Sequence, residues 1–269
     1  MNLISASLNK TPLYRLTLIG LSLIAFVAIV YGFLHPIPYT GVAFIISLFV
    51  LFTSCYFTNI ILAKLFNLPY KFESAMITAL ILFFIFSPST QTETLLTLAF
   101  AGSLAIVLKY VLAIQKKNVF NPAAIAAVII GLTGVNSASW WIATGPMMWF
   151  VAIVGFVIVR RMGKLPMLGI FLFTALISII LFNISLFRLN FIGEVFQSWP
   201  LFFLGAFMLT EPKTTPPGKN LQFIYAVVIG ILFGAHFQIG PIYATPEIAI
   251  VGGNIVSFVL RSVKLKSAV

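Results

Sequence analysis

Few residues in this chain can do chemistry, and their types and spacing already narrow what that chemistry is. There is no Asp, and the five acids are Glu73, Glu93, Glu194, Glu211 and Glu247. They are too sparse for a carboxylate-rich metal site or for paired-carboxylate hydrolysis. Cys55 is the single cysteine, so thiols alone build no internal disulfide, iron–sulfur cluster or zinc site; in its apolar run it reads as a small buried hydrophobe. His35 and His236 have no partner at a suitable depth to ligate haem. More specific are Asn121-Pro122 and Thr245-Pro246. A polar N-cap followed by proline at the first helical position is a helix start, and its N–H groups and positive dipole end can hold an anion or a phosphate.

Other ionisable and aromatic residues are read from their place in the apolar runs. Glu73, beside Lys71, stands at the entrance of such a run and is an ion-pathway candidate. Lys109 lies within about two turns of a run's end, close enough for its ammonium to snorkel to the surface. Trp140 and Trp141 mark an outer interface, where an aromatic belt is expected. Met147 and Met148 read as packing residues.

The elements that position these residues follow from composition. Of 269 residues, 61% are hydrophobic and 8% charged, with a mean hydropathy of +1.13. A soluble domain carries about 25% charged residues, so a water-soluble enzyme, a nucleic-acid-binding module and a disordered tail are all excluded. Apolar runs bounded by Pro, Gly or charge fall at 16–34, 40–63, 73–87, 94–114, 121–134, 140–159, 166–187, 199–210, 219–237 and 246–262. They predict ten helices in one membrane domain spanning 1–269. No small-residue cleavage site follows Leu34, so the first run reads as a helix and not as a signal peptide.

The net charge of +11 reports orientation. With the connections assigned alternately to two sides, Lys10, Arg15, Lys64, Lys71, Lys116, Lys117, Arg160, Arg161, Lys164, Lys213, Lys219, Arg261, Lys264 and Lys266 fall on the side of the termini; only Arg188 falls opposite. Basic residues near span ends stay on the cytoplasmic side, so both termini are expected there, in a plasma (inner) membrane. The charge is spread over every connection on that side, which suits anionic lipid headgroups and removes nucleic acid as a partner.

The chain also repeats itself. Shifted by 124 residues, Phe26-Val-Ala-Ile-Val30 falls on an identical Phe150-Val-Ala-Ile-Val154, Asn59 on Asn183, Pro88 on Pro212 and Pro122 on Pro246. Positions 26–122 and 150–246 share 21 identities in 97. Each half, about 16–136 and 140–260, holds five apolar runs. An odd number forces the copies upside down relative to each other, a plan whose site lies between the halves and is built by short or interrupted helices. The short runs 73–87 and 199–210 and the helix starts at Asn121 and Thr245 are the candidates.

Three stretches resemble a known membrane family: Lys117-Asn-Val-Phe-Asn-Pro-Ala-Ala124, Trp140-Trp-Ile-Ala-Thr-Gly-Pro146 and Phe207-Met-Leu-Thr-Glu-Pro-Lys-Thr-Thr-Pro-Pro217. They are similar to the RnfD-type membrane component of the Rnf complex and to the NqrB-type membrane component of the sodium-translocating NADH:quinone oxidoreductase. The resemblance implies an all-α fold of two inverted five-helix repeats, similar to urea transporters. It also implies a non-autonomous electron-transport subunit that passes electrons through FMN or riboflavin, coupled to Na+ or H+ movement. Its partners would be other membrane subunits and a soluble electron-donating flavoprotein or iron–sulfur protein, since this chain has no NAD-binding glycine motif and no cluster cysteines. On this resemblance the flavin site would draw on Thr144, Asn121, Pro122, Trp141, Glu211 and Thr214, with Glu211 able to bind a cation or orient a flavin or quinone. The family attaches FMN to the Thr of an S-G-A-T motif; here that motif is absent and Thr144, after Ala143, is the nearest equivalent. The alternative on the same scaffold is a cofactor-free channel or carrier for a small polar solute. A third reading is a structural membrane subunit that has lost its cofactor.

Overall fold

The computed structural model describes residues 11–34, 37–114, 117–143, 145–184 and 190–266, with side chains to 262. Every apolar run becomes a helix. The first half contains α1 (Leu13–Leu34), α2 (Gly41–Leu65), α3 (Phe72–Ile85), α4 (Thr92–Val111), a small hairpin of β1 (Ala113–Ile114) and β2 (Lys117–Asn118), and α5 (Pro122–Thr133). The second half contains α6 (Gly145–Arg161), α7 (Leu165–Phe182), α8 (Phe191–Ser198), α9 (Leu201–Leu209), α10 (Lys219–Gly234), a hairpin of β3 (Gln238–Ile239) and β4 (Ile242–Tyr243), and α11 (Pro246–Lys266).

Helices α1, α2, α4 and α7 are long and apolar enough to cross a membrane, and α8 with α9, bent by 55°, has the length and composition of a broken span or a re-entrant loop. The chain is an all-α membrane protein. The element order of the first half recurs in the second, hairpin included, at the offset seen in the sequence. Packing recurs too: α2 lies along α4 as α7 lies along α10, and the halves meet where α1 packs on α6 and α5 on α11.

Helix association in lipid relies on small residues that let backbones approach. Gly230 and Gly234, four apart on α10, supply that surface. A Cβ on Gly230 would collide with the Thr174 hydroxyl of α7, and one on Gly234 would meet the backbone of Ile179. Gly102 of α4 does the same against Ser54 of α2. Ser54 and Ser178 are repeat equivalents, and Ser178 adds a hydrogen bond of 2.8 Å to the Ile231 carbonyl.

Helices α3, α5 and α9, like α8 and α10, are too short to cross about 30 Å of hydrocarbon on their own. Helix α3 has 14 residues and α5 has 12; α9 begins as α-helix and winds as π-helix over Leu204–Leu209. Pro200 stands at the bend before α9. The apolar-run boundaries leave α8 within a connection, and the structure separates it as an eight-residue helix ahead of that proline. The segment expected from 140 begins as helix only at Gly145, because residues 139–142 are committed to contacts elsewhere.

Candidate functional site

The short helices converge on a cleft. Its cavity volume is about 50 Å³, and it is walled by Ile77 and Ile81 of α3, Ile158 of α6, Met162 just past that helix, and Phe207 of α9. That is room for a few water molecules and is below the range of about 300–1,000 Å³ for preformed small-ligand sites, so a larger ligand would have to part the walls. Its polar lining comes from five elements: Tyr14 and Thr17 of α1, Ser74 and Thr78 of α3, Lys109 of α4, Asn121 at the start of α5, and Thr210 with Glu211 at the end of α9.

Asn121 does several jobs at once. Its Oδ1 accepts from the backbone N–H of Ala123 and Ala124, both at 3.1 Å, and its Nδ2 donates to Glu211 Oε2 at 3.0 Å. Its own N–H donates to Asn254 Oδ1 of α11 at 2.7 Å. Pro122 follows at the first helical position, as expected, and has no N–H to give. The N–H groups expected to be open to an anion are therefore taken by the Asn121 side chain. Helix α5 is capped, and the cap is buried at 1% exposure where two halves of the chain meet.

Glu211 is held from behind. Thr214 Oγ1 lies 3.5 Å from Glu211 Oε2 and 3.4 Å from its carbonyl, and Thr215 Oγ1 donates to that carbonyl at 2.6 Å. Thr214 is fully buried; the side chain expected to touch a cofactor instead positions Glu211. Ser257 of α11 donates to the Thr214 carbonyl at 2.6 Å, and Asn254 Nδ2 donates to Tyr225 OH at 2.8 Å. Burial lifts the Glu211 carboxyl above the usual carboxylate range, against the pull of Lys109, Lys213 and Lys164. Lys164 donates to the Thr210 carbonyl at 2.8 Å and to Thr215 Oγ1 at 2.9 Å; burial pushes its pKa down to about 8. Arg261 closes the far side with bonds of 3.0 and 2.8 Å to the carbonyls of Lys213 and Thr215.

Lys109 departs from its expected surface position. Its Nζ turns inward and donates to the Ser74 carbonyl at 2.6 Å and to Thr78 Oγ1 at 3.1 Å. Ser74 and Thr78 are four apart on one face of α3, and that polar pair in an apolar run is the sequence signal that marks the partner. Glu73, one residue before, points outward: its carboxylate pairs with Arg15 of α1 at 3.0 Å, the only ion pair among the described residues. It sits at the rim of the cleft, not in its wall.

Two further expectations resolve differently. Trp141 is 4% exposed and enclosed by Phe44, Phe83 and Phe84, with ring centroids at 4.7, 5.2 and 5.6 Å, and its Nε1 donates to the Phe83 carbonyl. The protein's own rings occupy the faces on which a flavin would stack. Trp140 is also buried, so neither indole forms a lipid-facing belt. Thr144 and His35 lie outside the described residues. Cys55 is buried against α4, its Sγ 3.5 Å from the Gly102 carbonyl, as a small core residue.

The other end of the molecule carries a second convergence. Trp140 has a left-handed backbone, φ 49°, which costs a bulky residue about 1–3 kcal/mol. Ser139 N and Trp140 N each donate to the Ile85 carbonyl at the end of α3 at 2.9 Å, and Ser139 Oγ does so at 3.1 Å. Trp140 Nε1 donates to Glu247 Oε2, in the first turn of α11, at 2.8 Å. Sequence reasoning missed Asn254, Tyr225 and Glu247 as a set because each lies alone in an apolar run. In comparisons with known proteins, no family model and no curated protein matches this chain.

Proposed function

We propose that this protein is a membrane subunit of an ion-translocating electron-transport complex, with ten spans in two inverted halves and the basic end facing the cytoplasm across an inner membrane. The observation that carries the reading is the Asn121–Glu211 hydrogen bond: the two blocks that resemble the Rnf and sodium-pumping families, 90 positions apart, meet at one cleft. The chemistry of the cleft's donors suits the uncharged ring of a flavin, which would enter only with the walls of this 50 Å³ cavity parted. Lys109 and Asn121 would face its carbonyl edge, Glu211 would accept from a ring N–H, and Phe207, Ile77 and Met162 would keep water from its faces. A bound flavin supplies one- and two-electron transfer that no side chain here can supply. The phosphate of FMN does not fit beside Glu211 at a capped helix start, so riboflavin suits the cleft better, and a phosphoester at Thr144 would have to sit elsewhere. Electrons would arrive from a soluble flavoprotein or iron–sulfur partner and leave through other membrane subunits. Na+ or H+ would enter by the Glu73 rim.

An absorption spectrum of the purified chain, followed by intact mass, tests this. A flavin band, or one that appears on adding riboflavin, is expected. A colourless chain that binds neither riboflavin nor FMN overturns the reading.

One observation favours a second reading, a carrier or channel for a small neutral polar solute. The α5 start offers no free N–H for a phosphate, while the cleft presents a cationic donor in Lys109 and an acceptor in Glu211. Solute flux into liposomes holding this chain alone, with no electron donor, would select it.

A further inference from the structure

We infer that Glu247 is a proton-binding residue and that its protonation releases a latch, made by Trp140, which closes the end of the helix bundle opposite the cleft. The inference does not depend on what the cleft carries.

Trp140 links two helix ends. Through the backbone of residues 139 and 140 it holds the end of α3 at the Ile85 carbonyl; through its indole it holds the start of α11 at Glu247. The left-handed backbone at Trp140 means that these contacts keep it in place against its own preference. The geometry answers that of the cleft in the repeat: there the end of α9 meets the start of α5 through Glu211 and Asn121.

Glu247 is 7% exposed, and no ion pair reaches it among the described residues. A buried carboxylate without a counter-charge either takes a proton or coordinates a cation. The surroundings favour the proton. The Ile85 carbonyl, the other acceptor on the latch, already accepts three hydrogen bonds, and no cluster of metal-binding side chains forms among the described residues. The elements around Glu247 bring no charge: α5, residues 134–143 and the hairpin 238–243 contain no Asp, Glu, Lys or Arg. On α11 the next charge is Arg261, at the other end of the helix; on α10 it is Lys219, also at the far end; α9 has none. Titratable side chains toward this end include His236, Tyr243, Tyr39, which packs on Trp141, and the exposed Glu93 and Glu194; Tyr225 bonds Asn254 two turns from Glu247. When ionised, Glu247 accepts a charge-assisted bond from the indole. A proton taken from the adjacent aqueous face turns it into a neutral bond, about half as strong, and the strained Trp140 backbone then favours release.

Hydrogen exchange of the whole chain in lipid nanodiscs, read by mass spectrometry at pH 6 and pH 8 and corrected for intrinsic rate, tests this at the peptide covering 137–143. Wild type is expected to lose protection at the lower pH by about tenfold. Glu247→Gln, which keeps an acceptor but cannot ionise, is expected to show the low-pH protection at both values. Trp140→Phe, which removes the indole donor, should do the same and serves if Glu247→Gln fails to fold. Glu194→Gln, at an exposed position, should respond as wild type does. Protection that does not change with pH in wild type, or a pH response that persists in Glu247→Gln, overturns the inference. So does an equal loss of protection on adding Na+ at constant pH, which would assign the carboxylate to a metal cation.

Discussion

Asn121 and Glu211, far apart in the chain, are joined by a 3.0 Å hydrogen bond at the point where the start of α5 meets the end of α9. Asn121 also caps α5 with the same side chain, so one residue fixes a helix end and a carboxylate together. Asn121→Ala removes both. The lost cap alone costs about 1 kcal/mol, and the unpaired buried carboxylate adds to it. Thermal unfolding in detergent should show the larger drop for Asn121→Ala in wild type and a smaller one when Glu211 is already Gln. Equal drops in the two backgrounds would show that the pair is not coupled.

Lys109 rests on two oxygens of α3 and faces the same cleft as Glu211. Lys109→Met fills the same length without donors, leaving the Thr78 hydroxyl and the Glu211 charge without it. Removing a buried partner costs about 1–3 kcal/mol. Adding Glu211→Gln should recover part of that loss in the same unfolding measurement, because the uncompensated charge goes with it.

Lys164 gives a pH dependence of defined sign. Its folded pKa is lowered to about 8 from an ordinary 10.5. Between those values the unfolded chain holds a proton that the folded chain does not, so stability from this group rises with pH over the interval. Below about pH 8 both states are protonated and the burial cost is present in full. The stability difference between wild type and Lys164→Met, followed from pH 7 to 10, should therefore shift in favour of wild type as pH increases.

Gly230 has no room for a side chain against Thr174. Gly230→Val must force α7 and α10 apart, at about 1–3 kcal/mol for overpacking. Cross-linking of cysteine pairs placed along α7 and α10 should fall in this variant, while Gly131→Val, at a position with open space, leaves it unchanged.

The Arg15–Glu73 pair is the contrasting case. Both groups are substantially solvated, with side-chain exposures of 63% and 32%, and such pairs contribute about 0–1 kcal/mol. Glu73→Gln should leave the unfolding temperature nearly unchanged. A clear fall in ion movement in the same variant would then report on passage and not on folding.

Ten of the eleven helices among the described residues are legible in the sequence because most of their boundaries are written locally; α8 and the start of α6 are not. Asn121-Pro122 and Thr245-Pro246 start helices wherever they stand, and the shortness of 73–87 and 199–210 is a matter of counting. What joins those helices is less legible. Lys109 looks the same in sequence whether it reaches outward or inward, and its direction is decided by Ser74 and Thr78 on a neighbouring helix. Trp141 carries the composition of an interfacial residue, yet three phenylalanines from α2 and α3 enclose it. Asn254 stands alone in its helix and acquires meaning only beside Asn121 and Tyr225. The repeat carries some of this information: it places Asn121 opposite Thr245 and α3 opposite α9, without saying which side chains cross.

The inward lysine also sets an order of events during synthesis. An ammonium turned into a bundle is costly for a helix that enters the bilayer alone, less so for Lys109, in the last turn of α4, than at a helix centre. The oxygens that receive Lys109 lie 31 and 35 residues earlier in the chain and are made first. Entry of α3 and α4 as a hairpin would bring the charge in with its acceptors already made.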